Sequence, residues 1–124
     1  MFIGIHATWD VYNCNKEKLS FVPYVEETLH TITATLDLEE LNEAFKQFEP
    51  IGVTGFILLA ESHISIHTWP EHNYAAVDVF SCKNFDTSLV TKLLEKLFES
   101  DKIELNKLKR GSLELVNQLK LTSK

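Results

Sequence analysis

The sequence has few basic residues, few cysteines and no long apolar run. Twelve Lys and Arg stand against eighteen Asp and Glu, a formal net charge of −6, which argues against a nucleic-acid or anionic-membrane surface. Two cysteines, Cys14 and Cys82, are too few for a disulfide framework. The longest apolar stretch, residues 51–60, is about half of the ~20 residues that a membrane span needs. With no basic segment before Phe2, no signal peptide is predicted, and we expect a cytoplasmic protein without a membrane or nucleic-acid partner.

The 124 residues suit one domain spanning 1–124, because 44% hydrophobic and 24% charged residues are close to globular averages. The three prolines and four glycines form no linker. Alternating apolar residues predict strands, and apolar residues at helical spacing predict helices. The predicted strands are 3–12, a short buried strand at 51–60, 63–69, 74–81 and one around Ile103 and Leu105; the predicted helices are near 21–36, after Asp86 or Thr87, and after Gly111.

These elements favour an α+β fold, a two-layer sandwich with helices on one face of a mainly antiparallel sheet. The other sheet face then needs a cover. A second copy of the chain is the simplest one, so we expect a homodimer with its sheets packed face to face.

Several kinds of site are not expected. His63 and His67 lie on a predicted strand, where four residues span roughly 13 Å, too far to share one zinc ion, so no metal site is predicted. No G-x-S-x-G elbow indicates a serine hydrolase, and Gly52 to Gly55 lacks the Lys-Ser/Thr of a phosphate loop.

The segment E-S-H-I-S-I-H-T-W-P-E at 61–71, followed by Cys82, resembles the signature of the prokaryotic S-adenosylmethionine decarboxylase proenzymes. These are pyruvoyl enzymes of polyamine (spermidine) synthesis. The resemblance continues through residues 74–82 and back through Gly-Val-Thr-Gly at 52–55. It is fainter at His6, at residues 12–14 and at Arg110-Gly111.

The resemblance implies self-cleavage between Glu61 and Ser62. Ser62 Oγ attacks the Glu61 carbonyl, an ester forms, and β-elimination splits the chain into 1–61 (beta) and 62–124 (alpha). Residue 62 becomes a covalent pyruvoyl cofactor, an electrophilic ketone that forms a Schiff base with the substrate and accepts electrons during decarboxylation. The implied reaction converts S-adenosylmethionine to its decarboxylated form, the aminopropyl donor for spermidine, plus carbon dioxide.

The resemblance also assigns roles to individual residues. His67 matches the histidine that removes the proton in β-elimination, and Cys82 the cysteine that reprotonates the substrate. Glu71 matches a glutamate that accepts hydrogen bonds from the ribose, and Phe48 an aromatic ring for the adenine and sulfonium. Thr54 stands where relatives commonly have a serine that assists processing. His6 and Asp10, on the polar parity of the first strand, could line the same site without an assigned role, and Cys14 is expected to be structural.

Residues 38–49 are ambiguous. The spacing of Leu38, Leu41, Phe45 and Phe48 favours a helix. The resemblance places a strand there, and we adopt the strand.

Two other functions stay open. The substrate could be a basic amino acid such as arginine or ornithine, decarboxylated by the same pyruvoyl chemistry. Alternatively, the chain could be an unprocessed, non-catalytic binding or regulatory paralogue. Retention of Ser62, His67 and Cys82 argues against the second alternative.

Overall fold

The computed structural model describes residues 1–122 and consists of one six-stranded antiparallel sheet and four helices. In chain order the elements are β1 (Phe2–Tyr12), α1 (Lys16–Ser20), α2 (Val22–Thr35), β2 (Glu40–Gln47), β3 (Val53–Leu59), β4 (Ser62–Trp69), β5 (Tyr74–Ser81), α3 (Thr87–Leu97), β6 (Lys102–Ser112) and α4 (Leu113–Thr122). A single 3₁₀ turn, Pro70–His72, joins β4 to β5. The strand order is β2-β3-β4-β5-β1-β6.

The core lies between one sheet face and α1 to α3. Along the strands every second side chain is buried on this face. Helices α2 and α3 each bury one stripe of apolar side chains against it. The largest fully buried side chains include Trp9, Phe98, Leu19, Leu29, Ile57, Ile64 and Leu94. The predicted α+β sandwich with helices on one sheet face is therefore confirmed.

Local signals fix the helix ends. Asp86 is the N-cap of α3, and its side chain accepts a hydrogen bond from the Ser88 backbone N–H. Pro23 lies in the first turn of α2, where its missing N–H costs nothing. The helix predicted after Gly111 is present as α4.

The segment 40–47 is a strand, so the resemblance predicted its type correctly and the helical periodicity was wrong. As β2 it is the edge of the sheet, and most of its side chains are exposed. Phe45 packs over Gly55 of β3, where a Cβ atom would collide with the Phe45 ring. Tertiary packing of one aromatic ring on a glycine thus outweighs the local pattern.

The helices α1 to α3 pack on the first sheet face, and we call the second sheet face the open face. Two predictions about the strands need correction here. Residues 51–60 do not form a fully buried strand, because Phe56 and Leu58 of β3 point to the open face and are 40% and 43% exposed. The alternation in β1 predicts a core face made of Ile3, Ile5, Ala7, Trp9 and Val11; Ala7, Trp9 and Val11 are buried, whereas Ile3 is 47% exposed. Within residues 1–122 no helix is long and apolar enough to cross a membrane.

Candidate active site

The peptide bond between Glu61 and Ser62 lies at the tip of the β3–β4 hairpin. Leu59 pairs with Ser62, so only two residues form the loop. Ser62 also pairs with Ser81 on the neighbouring β5, which places Cys82 beside the tip. The Cys82 thiol donates a hydrogen bond to the Glu61 carbonyl oxygen over 3.4 Å. We call Glu61, Ser62 and Cys82 the hairpin end.

A second group lies where β3 begins and β4 ends. Thr54 pairs with His67 across the two strands, and Thr54 Oγ1 is 3.1 Å from His67 Nδ1. These two residues, Phe48 and Glu71 line one cavity of about 330 Å³, together with Trp69. We call Phe48, Thr54, His67 and Glu71 the His67 end.

The turn before β3 holds Phe48 at this cavity. The Phe48 backbone N–H donates to the Gly52 carbonyl over 2.8 Å, and the Gly52 N–H donates to the Ser20 carbonyl over 3.0 Å. Gly52 has a φ of +119°, a conformation that side chains other than glycine rarely adopt. The spacing from Phe48 to Thr54 therefore depends on this glycine.

The two ends do not meet within one chain. Ser62 and His67 are five residues apart on β4, which corresponds to roughly 16 Å along a strand, and their side chains point to opposite sheet faces. A general base must come within about 3 Å of the proton that it removes. The structure thus brings Glu61 to Cys82, and His67 to Thr54, Phe48 and Glu71, but it does not bring His67 to its own Ser62.

Asp78 forms a polar hub on the open face between the two ends. Its carboxylate accepts hydrogen bonds from His6 Nε2 at 2.6 Å, from His63 Nε2 at 3.2 Å and from the Ser65 hydroxyl. Burial alone would raise the pKa of Asp78, but these hydrogen bonds outweigh burial and lower it below the ordinary value. The sequence pattern pointed to His6 but not to the hub, although the strand parities of His6, His63, Ser65 and Asp78 all indicate one face.

An aromatic ladder on the open face leads away from the His67 end. The rings of His67, Trp69, Tyr74 and Tyr12 follow one another at centroid separations of 6.2, 5.5 and 5.3 Å. The Tyr74 hydroxyl donates to Asp10, and burial with this carboxylate raises the pKa of Tyr74. Asp10 therefore contacts the aromatic ladder rather than the hairpin end or the His67 end.

Cys14 is buried, and its thiol donates to the Val11 carbonyl over 3.5 Å. Burial raises the pKa of Cys14 to about 12, which makes it a poor nucleophile at neutral pH. These observations agree with its expected structural role.

The family model for S-adenosylmethionine decarboxylase matches residues 5–111. The chain belongs to the S-adenosylmethionine decarboxylase family. The match covers most of the chain and includes the hairpin end and the His67 end.

Relatives in this family include the S-adenosylmethionine decarboxylase proenzyme of Persephonella marina, 40% identical over 89% of this chain and 84% of that protein. The proenzyme of Clostridium botulinum is 34% identical over 91% of this chain and 98% of its own length. The crystal structure of the adenosylmethionine decarboxylase from Aquifex aeolicus superposes with a TM-score of 0.83 at 32% identity, covering 90% of this chain and 93% of that one. A Trypanosoma brucei AdoMetDC-delta26 monomer, at 15% identity and a TM-score of 0.59, shares the fold; 82% of this chain aligns with 44% of that chain.

Proposed function

We propose that this chain is a self-processing S-adenosylmethionine decarboxylase, which cleaves itself between Glu61 and Ser62 and uses the pyruvoyl group formed at residue 62. The observation that carries the proposal is the position of this bond at a hairpin tip, with the Cys82 thiol donating to the Glu61 carbonyl. A donor on a carbonyl oxygen stabilises the negative charge that develops there when a nucleophile attacks its carbon.

The chain's own atoms can make the pyruvoyl group. Ser62 Oγ bonds to the Glu61 carbonyl carbon while the Glu61–Ser62 amide bond breaks, which gives an ester and a free amino group on residue 62. A base then removes the Ser62 Cα proton, and the Cβ–O bond breaks to release the Glu61 carboxylate at the end of chain 1–61. The dehydroalanine left at residue 62 takes up water and loses ammonia, which leaves a ketone.

His67 is the base that the family resemblance assigns, and the geometry supports its arrival from a second copy. Because Ser62 and His67 are roughly 16 Å apart on one strand, a twofold axis at the middle of the open face would carry the His67 end of one copy to the hairpin end of the other. The proton that the base removes is on Ser62 Cα, so this approach does not require the Ser62 side chain to point to the open face. The exposed apolar side chains of Phe56, Leu58 and Trp69 on that face suit such a homodimer, with two alpha and two beta chains after cleavage.

The same pairing completes a substrate site. The pyruvoyl ketone supplies the electrophile and electron sink that decarboxylation of an amino acid requires. Cys82 at the hairpin end donates a proton to the substrate carbon after carbon dioxide leaves. Glu71 of the other copy accepts hydrogen bonds from the ribose hydroxyls, and the Phe48 ring packs on the adenine and attracts the sulfonium cation.

Family membership favours S-adenosylmethionine over arginine or ornithine as the substrate, and it favours a working decarboxylase over a non-catalytic paralogue. The acidic charge of −6 also suits a cationic substrate. We further propose that the enzyme acts in the cytoplasm.

Release of labelled carbon dioxide tests this function. Purified protein is incubated separately with carboxyl-labelled S-adenosylmethionine, arginine and ornithine, with Ser62→Ala protein as the control. Release from S-adenosylmethionine by the wild type alone is expected. Release from arginine or ornithine instead would transfer the assignment to a basic amino acid, and no release from a fully cleaved protein would refute the decarboxylase assignment.

A further inference from the structure

A histidine-centred cluster lies on the opposite side of the molecule from the open face, where α2 packs against the edge strand β2. His30 of α2 follows Glu26 by one turn, and Glu40 and Glu43 come from β2. His30 Nδ1 is 2.8 Å from the Glu40 carboxylate. His30 Nε2 is 2.7 Å from Glu43 and 3.7 Å from Glu26. We call these four residues the His30 cluster.

The cluster places three carboxylates around one imidazole. The nearest carboxylate oxygens of Glu26 and Glu43 lie within 4.8 Å of each other, so two like charges are held close together. Even a charged imidazolium leaves a formal charge of about −2 on the group, because three carboxylates face one cation. The cluster is therefore an attractive environment for a further cation.

The two imidazole nitrogens have different partners. The Nδ1 side faces Glu40, which the Thr33 hydroxyl holds in place by donating to its carboxylate. The Nε2 side faces the oxygens of Glu26 and Glu43, and the three ligand atoms of His30, Glu26 and Glu43 lie within 4.8 Å of one another. A histidine that binds a metal usually donates its other ring N–H to a carboxylate in this way, which fixes the tautomer and directs the free nitrogen at the ion.

We propose that the His30 cluster binds a divalent transition-metal ion of the zinc class, through His30 Nε2 and one oxygen each of Glu26 and Glu43, with Glu40 orienting the imidazole. One nitrogen and two oxygens suit zinc, whose open sites keep three protein ligands and a water. The side chains of His30, Glu26 and Glu43 are 34%, 35% and 35% exposed, so an ion can enter from solvent without unfolding. The bound ion would join α2 to β2.

This site is separate from the one proposed for catalysis and does not depend on that function. Its ligands face the helical side of β2, because Glu43 pairs with the buried Ile57. The other group of potential ligands among the described residues, His6, His63 and Asp78, lies on the open face. The Asp78 carboxylate there already accepts hydrogen bonds from Ser65 and both histidines.

Cobalt binding tests the proposal, because Co²⁺ substitutes for Zn²⁺ and its visible absorption reports ligand geometry. Full-length protein is stripped with a chelator and titrated with Co²⁺, and Zn²⁺ is then added as competitor. One equivalent of Co²⁺ is expected to bind and to give the visible absorption spectrum of a low-coordinate ion. Addition of Zn²⁺ should abolish this spectrum. Glu40→Gln should weaken the affinity by about 10- to 100-fold, as expected for an outer-sphere partner.

Matched variants locate the ion. His30→Gln and Glu43→Gln should lose the spectrum; Glu43 is on an exposed edge strand, so its variant keeps the fold, as circular dichroism will check. Glu27→Gln makes the same charge change one residue from Glu26 on α2 and should bind as the wild type does, and His63→Gln should also bind. No binding by the wild type, binding unchanged in both cluster variants, or loss in His63→Gln alone would overturn the proposal. The last two results would place the ion elsewhere, and the first would leave His30 as an imidazolium paired with its carboxylates.

Discussion

Complementation between two inactive variants would test most directly whether the catalytic site is formed by two copies of the chain, which we call the two-copy site. Ser62→Ala removes the nucleophile and His67→Ala removes the base, so each homodimer should stay uncleaved. In a mixed dimer, the Ser62 of the His67→Ala chain would meet the intact His67 of the Ser62→Ala chain. One of the two sites would then be complete.

The expected yield follows from this arrangement. Random pairing of equal amounts puts about half of the His67→Ala chains in mixed dimers, so about half of them should be cleaved and none of the Ser62→Ala chains. If His67 served the Ser62 of its own chain, no chain in the mixture could be cleaved. The roughly 16 Å between them on β4, against a working reach of about 3 Å, is the reason to expect the first result.

The assay is co-expression of the two variants with different affinity tags, followed by denaturing gel electrophoresis and mass spectrometry of each tagged chain. Co-expression lets the dimers form from newly made chains, which removes the need for subunit exchange. Size-exclusion chromatography of the mixture checks that dimers are present. An uncleaved His67→Ala chain in a mixture that contains mixed dimers would refute the two-copy site, and so would full cleavage of the His67→Ala homodimer.

Three further predictions concern single residues. Cys82→Ala should slow cleavage, because the Glu61 carbonyl loses its thiol donor. It should also lower the turnover of matured enzyme by about 10²- to 10⁴-fold. Unchanged rates of both cleavage and turnover would contradict the role of Cys82. Thr54→Val should slow maturation by about 10²-fold, whereas Thr54→Ser should mature at the wild-type rate, since only the hydroxyl contacts His67. Equal maturation rates of the two variants would remove Thr54 from the processing residues. Asp78→Asn should lower the free energy of unfolding by about 1 to 3 kcal/mol at neutral pH. Because the folded-state pKa of Asp78 is lowered, its carboxylate stabilises the fold fully above the ordinary pKa of 3.8. The difference from wild type in urea melts should shrink below that pH and be lost as the pH falls through the lower pKa of the folded state.

The strands around the motif could be predicted from the sequence because their alternation is strict. Ile64, Ile66 and Thr68 are buried while His63, Ser65 and His67 lie on the other face, as the pattern of β4 requires. The segment at β2 could not be predicted from its own residues, because an edge strand needs little buried surface and the contact of Phe45 with Gly55 is made with another strand. Only the family resemblance predicted it.

The separation of Ser62 from His67 could have been predicted from the sequence. The strand-spacing argument that excludes a zinc ion shared by His63 and His67 applies to this pair as well. Residues five apart on a strand are both distant and on opposite faces, which applies directly to Ser62 and His67. The Asp78 hub and the His30 cluster are different, because their members come from separate elements. Strand parity shows which residues share a face, but the register that joins His6 to Asp78, and the packing of α2 on β2, are tertiary facts.

Intact mass spectrometry of freshly purified wild-type protein tests the central claim most directly. We predict two species, one corresponding to residues 1–61 with a free carboxyl terminus, and one to residues 62–124 that begins with a pyruvoyl group in place of serine. Ser62→Ala protein should give only the full-length mass. A single species of 14.2 kDa from active-site-intact protein would contradict self-cleavage and the decarboxylase mechanism built on it.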